Sequence, residues 1–339
     1  MDRLDSKISF KFSVMIVLLL MLAMASFAIG RYPIPPDLVL GIMFSKFIHV
    51  QQTWSDTMET VIFNVRIPRI IAAIVVGGVL SVAGAAFQNL TKNPMAAPDI
   101  LGVSAGAGFG AAMAMTLSFP WFGIQLSAFL FSLLAVGLAI GISRIFGKNS
   151  IVVLILGGLV ISAFFQALIS LLKYIADPED TLPAITFWLM GGLSKVSNQD
   201  MTIALIPISI SLLALFVIRW QVNVLSVGDE EAKALGVKIR AVRMIVILCA
   251  TLMTAAAVSI SGVVGWIGLV IPHMARMIVG SNFYYLLPAS FLIGGSFLLL
   301  VDNVSRSASS IEIPLGILTA LIGTPFFVFL LSKIKKGWT

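Results

Sequence analysis

Asp229, Glu230, Glu231, Lys233, Lys238, Arg240 and Arg243 crowd into one interval, Val224 to Arg243, while the chain on both sides is almost free of charge. The three acids are consecutive and fall where a short helix would begin. There the helix dipole favours negative side chains. Gly236 follows Leu235 and is placed to stop that helix. A second helix start then carries Lys238, Arg240 and Arg243. The pattern predicts a compact, charged helix–Gly–helix element suited to surface recognition. Composition alone leaves two readings open, an ordinary solvated loop or a docking element.

Other chemistry is sparse. Cys249 is the only cysteine and sits in an apolar run, which leaves no disulfide framework or thiolate metal site. His49 and His273 are far apart, so no resident metal is expected and any metal carried would lie inside the cargo. A GxxxxGK[ST] phosphate loop is absent from the sequence, so the chain is not expected to hydrolyse ATP or to bind a cofactor itself. Lys and Arg outnumber Asp and Glu by 22 to 15, a net charge of +7. These cations are scattered singly between apolar runs, as membrane-flanking charges are, with no basic patch for nucleic acid.

The elements that must position the charged interval are membrane spans. Hydrophobic residues make up 59% of the chain and charged ones 11%, against about 25% charged in a soluble domain. Mean hydropathy is +1.06. A helix needs about 20 apolar residues to cross the hydrocarbon. Charge-free gaps of that size run from Lys11 to Arg31, Arg69 to Lys92, Lys148 to Lys173, Asp200 to Arg219, Arg276 to Asp302 and Glu312 to Lys333. The gap from Asp99 to Arg144 holds two spans, broken at Pro120. The gap from Arg243 to Arg276 holds two more if it breaks at Ser261-Gly262. The prediction is an all-α, polytopic membrane protein with about ten transmembrane helices, and one permease domain over residues 1–339. The first span is read as uncleaved rather than as a secretory signal, because Phe12 to Ile29 is long for a signal core. With ten spans, 15 of the 22 cations fall on the side of the termini and the 224–243 loop. The positive-inside rule then puts both termini and that loop in the cytoplasm.

Several finer features follow. Leu38, Ile42, Met43 and Phe47 have helical spacing after Pro35-Pro36, predicting a short external helix at the membrane surface. Gly77, Ser81 and Ala85, and Gly102, Gly106, Gly110 and Ala114, recur every four residues, as in helices that approach closely in lipid. Asp302 and Arg306 can pair across one helical turn. Arg66, Arg69 and Arg306 stand on the cation-poor side, where snorkelling cations could anchor to the interface. Gly158, Ser162, Gln166 and Ser170 form a weakly polar stripe along the fifth predicted span. Such a stripe faces a neighbouring span or a water-filled path. An ion-coupled secondary transporter is the main alternative, although its usual midplane ionisable residues are missing from these spans. A structural or receptor-like membrane protein would not require the charged loop.

Six blocks carry a family resemblance. They are Arg66-Ile67-Pro68-Arg69, Gln88 to Ser104 (QNLTKNPMAAPDILGVS), Trp188 to Leu193 (WLMGGL), the 224–243 loop, Gly265 to Arg276 (GWIGLVIPHMAR) and Ile313 to Phe326 (IPLGILTALIGTPF). In this order they resemble FecCD-type permease subunits of binding-protein-dependent ABC importers for iron-siderophore, haem and cobalamin. The resemblance implies the fold of the cobalamin importer permease. It implies a homodimer in a bacterial or archaeal cytoplasmic membrane, with two ATPase subunits inside and one extracytoplasmic substrate-binding protein outside. ATP and magnesium would be held by the ATPases. Within residues 222–243, Gly228, Asp229, Glu230, Glu231, Ala232, Leu235 and Gly236 would form the ATPase-coupling element. Arg66, Arg69 and Arg306 would receive carboxylates of the binding protein, and the 158–170 stripe would line the translocation pathway. Ferric siderophore is the expected cargo, with haem, cobalamin and molybdate as related ones.

Overall fold

The charge-free gaps become helices, and the gaps' ends become the turns. The structure, a computed structural model, describes residues 2–30, 32, 34–45, 52–147, 150–309 and 311–334. In chain order the helices are α1 (Asp2–Ala28), α2 (Pro36–Phe44), α3 (Asp56–Thr60), α4 (Ile67–Thr91), α5 (Val103–Thr116), α6 (Trp121–Gly147), α7 (Ile151–Ile175) and α8 (Thr181–Met190). They continue with α9 (Asn198–Val217), α10 (Arg219–Val227), α11 (Asp229–Ala234), α12 (Ile239–Ser261), α13 (Ile267–Val279), α14 (Phe283–Ser307) and α15 (Leu315–Ile334). A π-helical turn over Val61–Arg66 joins α3 to α4, and a 3-10 turn over Pro98–Leu101 precedes α5.

Seven helices among the described residues are long and apolar enough to cross a membrane. The remaining expected spans coincide with α5, α13 and α15, which are apolar but shorter over their described part. The 13 residues of α13 reach only about 20 Å at 1.5 Å per residue, short of the roughly 30 Å of hydrocarbon. The expected break falls where it was read: α12 ends at Ser261, and Gly262 has φ +65°. The predicted surface helix is α2, which buries Val39 and Ile42; Phe47 lies outside the described residues. Residues 219–227 form a helix that the sequence reading did not separate from the loop.

Glycines let the central helices approach closely. Helix α4 lies at the centre, against α12, α13 and α14. A Cβ on Gly77 would stand 2.3 Å from the Gly294 carbonyl oxygen, and one on Gly84 would stand 1.8 Å from that of Gly268. Backbones therefore touch with no side chain between them. Helix α5 packs on α6 in the same way: a Cβ at Gly106 or Gly110 would meet the carbonyls of Phe131 or Ser127 at 2.4 Å. By contrast, α7 lies at the margin, held by α5, α6 and the 3-10 turn, with an open outer side.

Candidate functional site

The charged interval folds as predicted and projects from one end of the bundle. Helix α11 starts at Asp229 and closes at Gly236, whose φ of +76° is the left-handed conformation that glycine adopts without penalty. Ala232 is fully buried and pins α11 to the bundle, whereas Leu235 is 59% exposed. The Glu231 carboxylate folds back over Gly228, so close that a Cβ there would overlap it. Glu230 pairs with Lys233 at 2.8 Å on the solvent side. Asp229 faces inward and is held by two cations from separate spans, Arg243 Nη2 at 2.6 Å and Lys92 Nζ at 3.4 Å. Partial burial alone would raise the Asp229 pKa. The Arg243 guanidinium, with help from Lys92, outweighs this and holds the carboxyl below its ordinary range. All seven residues expected to form the coupling element, Gly228, Asp229, Glu230, Glu231, Ala232, Leu235 and Gly236, therefore lie in one small knob. Helix α10 braces it, because Asn223 Oδ1 accepts a hydrogen bond from the Phe283 amide at 3.0 Å at the start of α14.

At the opposite end the three arginines come together. Arg66, Arg69 and Arg306 are only 3%, 6% and 6% exposed. Arg306 donates to the carbonyls of Ile29 at 3.0 Å and Ser26 at 3.3 Å, and Arg66 donates to those of Phe27 and Tyr32. Most of these acceptors are in or just past the last turn of α1, where carbonyls lack helical partners and the dipole is negative. Arg69 is bound by two carboxylates. Its Nε is 3.0 Å from Asp302 Oδ1, and its two terminal nitrogens grip Glu312 at 2.9 Å each. Asp302 also pairs with Arg306 one turn on, at 3.1 Å, as the spacing predicted. In this structure the three arginines, which were expected to receive a partner's carboxylates, are turned to internal acceptors. For Arg66 and Arg306 the sequence shows no sign of this, because their acceptors near the end of α1 are backbone carbonyls, which carry no residue signature. Beside the cluster opens a cleft of about 630 Å³ lined by Trp121, Trp188, Lys195 and Glu312, among others. Lys195 is exposed there, 5.4 Å above the Trp121 ring.

The polar stripe on α7 divides. Gly158 is buried, with Ile100 O pressed against it so that a Cβ would approach within 2.3 Å. It is a packing contact, which corrects its expected place in the pathway lining. Ser162 is half-buried beside Gly102, while Gln166 and Ser170 are exposed. Ser170 Oγ donates to the Gln166 carbonyl at 3.0 Å.

A central core of backbone-packed helices, spans on its margin and a charged knob between two spans define the molecule as a multi-pass membrane protein. The whole-chain comparisons make the class specific. Residues 18–333 match the FecCD transport family, and the chain belongs to that family. It is 40% identical over 321 residues to the molybdate import system permease MolB of Haemophilus influenzae, covering 95% of each chain. Over 332 residues it is 34% identical to the hemin transport permease HmuU of Yersinia pestis, again with 95% of each covered. A solved inward-facing structure, described as a metal-chelate type ABC transporter, superposes with a TM-score of 0.85 at 39% identity, over 96% of this chain and 99% of that one. The chain is thus a membrane permease subunit of an ABC importer, of a family whose cargoes differ from member to member.

Proposed function

We propose that this chain is the membrane half of an ATP-driven, binding-protein-dependent importer of metal chelates, with ferric siderophore as its cargo. The observation that carries the reading is the knob at 228–236. An apolar Leu235 and a row of acids stand exposed on a helix rooted by buried Ala232. An exposed apolar residue on a rigid, charged element is suited to fill a hollow on a partner. Here the partner is an ATPase subunit that supplies the ATP and magnesium. Two copies of the chain, each one permease domain, pair in the cytoplasmic membrane with both termini and the knob inside. The substrate-binding protein docks outside, around the cleft where Lys195 is exposed, beside the arginine cluster. Gln166 and Ser170 face away from the protomer core. Polar side chains are costly against lipid, so this side of α7 faces the path between the two copies. A weakly polar wall lets a bulky chelate pass without trapping it.

Two measurements test this reading. Leu235→Asp should leave the dimer assembled and abolish ATP hydrolysis stimulated by the binding protein; normal stimulation in the purified variant would refute the coupling role. For the cargo, the partner binding protein is titrated with a ferric siderophore and with molybdate while its tryptophan fluorescence is followed. Quenching by molybdate alone would replace the siderophore reading with an oxyanion one, which the 40% identity to MolB favours as the second choice.

A further inference from the structure

Lys92 stands where its residue type is the wrong one for the backbone. It caps the C-terminus of α4 with φ +51° and ψ +27°, a left-handed conformation that Gly or Asn adopts at lower cost. Its side chain crosses to Asp229 on α11 at 3.4 Å. The pair is 41% and 38% exposed, so it adds little to static stability, and the backbone cost of Lys92 has no return there.

What Lys92 is attached to supplies the return. It opens the turn that runs through Asn93 and the 3-10 helix to Gly102. Within that turn the Asn93 side chain accepts from the Met95 amide at 2.9 Å, and the Pro94 carbonyl lies 3.1 Å from His273 Nε2. The far end of the turn lies directly on α7. Ile100 O and Leu101 Cα would stand 2.3 and 2.7 Å from a Cβ on Gly158, and a Cβ on Gly102 would stand 3.3 Å from Ser162 Oγ. The Gly158 contacts are backbone against backbone, and close-packed contacts of that kind transmit displacement rather than absorb it.

We propose that Lys92 is a positioning residue for coupling: it ties α11 to the 92–102 turn, and through that turn to α7, so that movement of the knob reaches the helix carrying Gln166 and Ser170. The proposal rests on the reading of 228–236 as the ATPase-docking element. An ion pair of modest static worth suits the role, because a partner that covers it lowers the local dielectric and strengthens it.

The test uses the complete importer, with its ATPase and binding protein, in liposomes. Lys92→Gly suits the left-handed backbone and removes only the link; Lys92→Arg keeps the charge. Cargo moved per ATP hydrolysed should fall about fivefold or more in Lys92→Gly, the lower range of measured inter-site coupling, and return in Lys92→Arg. In a Cys249→Ala background, a cysteine introduced by Gln166→Cys should change its labelling by a water-soluble thiol reagent when nucleotide is trapped. That change should vanish with Lys92→Gly, which provides the direct coupling readout a contact path requires. If Lys92→Gly transports and labels as the parent does while Leu235→Asp is inactive, the link is refuted and the docking reading stands. Equal loss in Lys92→Gly and Lys92→Arg refutes it too, because charge is then not the connection. Should Leu235→Asp also couple normally, the docking reading falls and the link falls with it.

Discussion

The two ends of this molecule use the same ion-pair chemistry in opposite settings. At the far end Arg69, Asp302, Glu312 and Arg306 form a cluster in which Asp302 has no exposed surface. At the end that carries the 228–236 knob, Lys92, Asp229 and Arg243 form a chain of three with side chains 41%, 38% and 25% exposed. Removing a partner from a buried cluster strands a charge in a medium that cannot solvate it, whereas water takes over a lost partner at the surface. The first cluster therefore acts as structure, joining one end each of α4 and α14 to the segment before α15. The second, being exposed, can be broken and remade at little cost.

The difference can be broken at its strongest point. Asp302→Ala should destabilise the permease by about 3–5 kcal/mol, the usual loss when one member of a buried pair is deleted. The check is thermal unfolding in detergent, where a midpoint equal to the parent's would show that the cluster is not structural. Gly84→Ala should follow at about 1–3 kcal/mol from overpacking, since its new Cβ would stand 1.8 Å from the Gly268 carbonyl. It separates backbone packing from charge, because added salt should not alter its loss. Glu312→Gln comes next. The Glu312 side chain is 30% exposed, and Arg69 retains Asp302, so a loss of about 1 kcal/mol is expected, near the value of one net hydrogen bond. A loss as large as that of Asp302→Ala would erase the contrast between rim and centre.

The smallest effect concerns pH at the knob. The Asp229 carboxyl is held below its ordinary value, so its contacts are fully present above the usual aspartate pKa and weaken only as pH falls through the lowered one. Between pH 5 and 8 the nucleotide-dependent labelling of α7 should be insensitive to Asp229 protonation. Raising salt from 0.05 to about 0.5 M should weaken the link in the absence of the ATPase, because exposed pairs are screened. A link unaffected by salt would place it with the buried class.

Read alone, the chain was enough for the membrane class, the seven long apolar helices and the charged knob. These follow from local and periodic signals: apolar run length against bilayer thickness, a Gly after Leu235, acids at a helix start, small residues every four. The Asp302–Arg306 pair was legible for the same reason, because both residues lie on one helix. The other contacts the arginines make within the chain became visible only in the fold. Arg66 and Arg306 serve carbonyls at the end of α1 and Arg69 serves Asp302 and Glu312, partners that the chain brings together from more than 200 residues away in three of these contacts. Fold likewise divided the α7 stripe, since a four-residue step precesses around the helix and the 98–101 turn covers only its first member. Which side of a span meets a turn, a neighbour or the open surface depends on how the helices dock, and residue spacing along one helix does not carry that information.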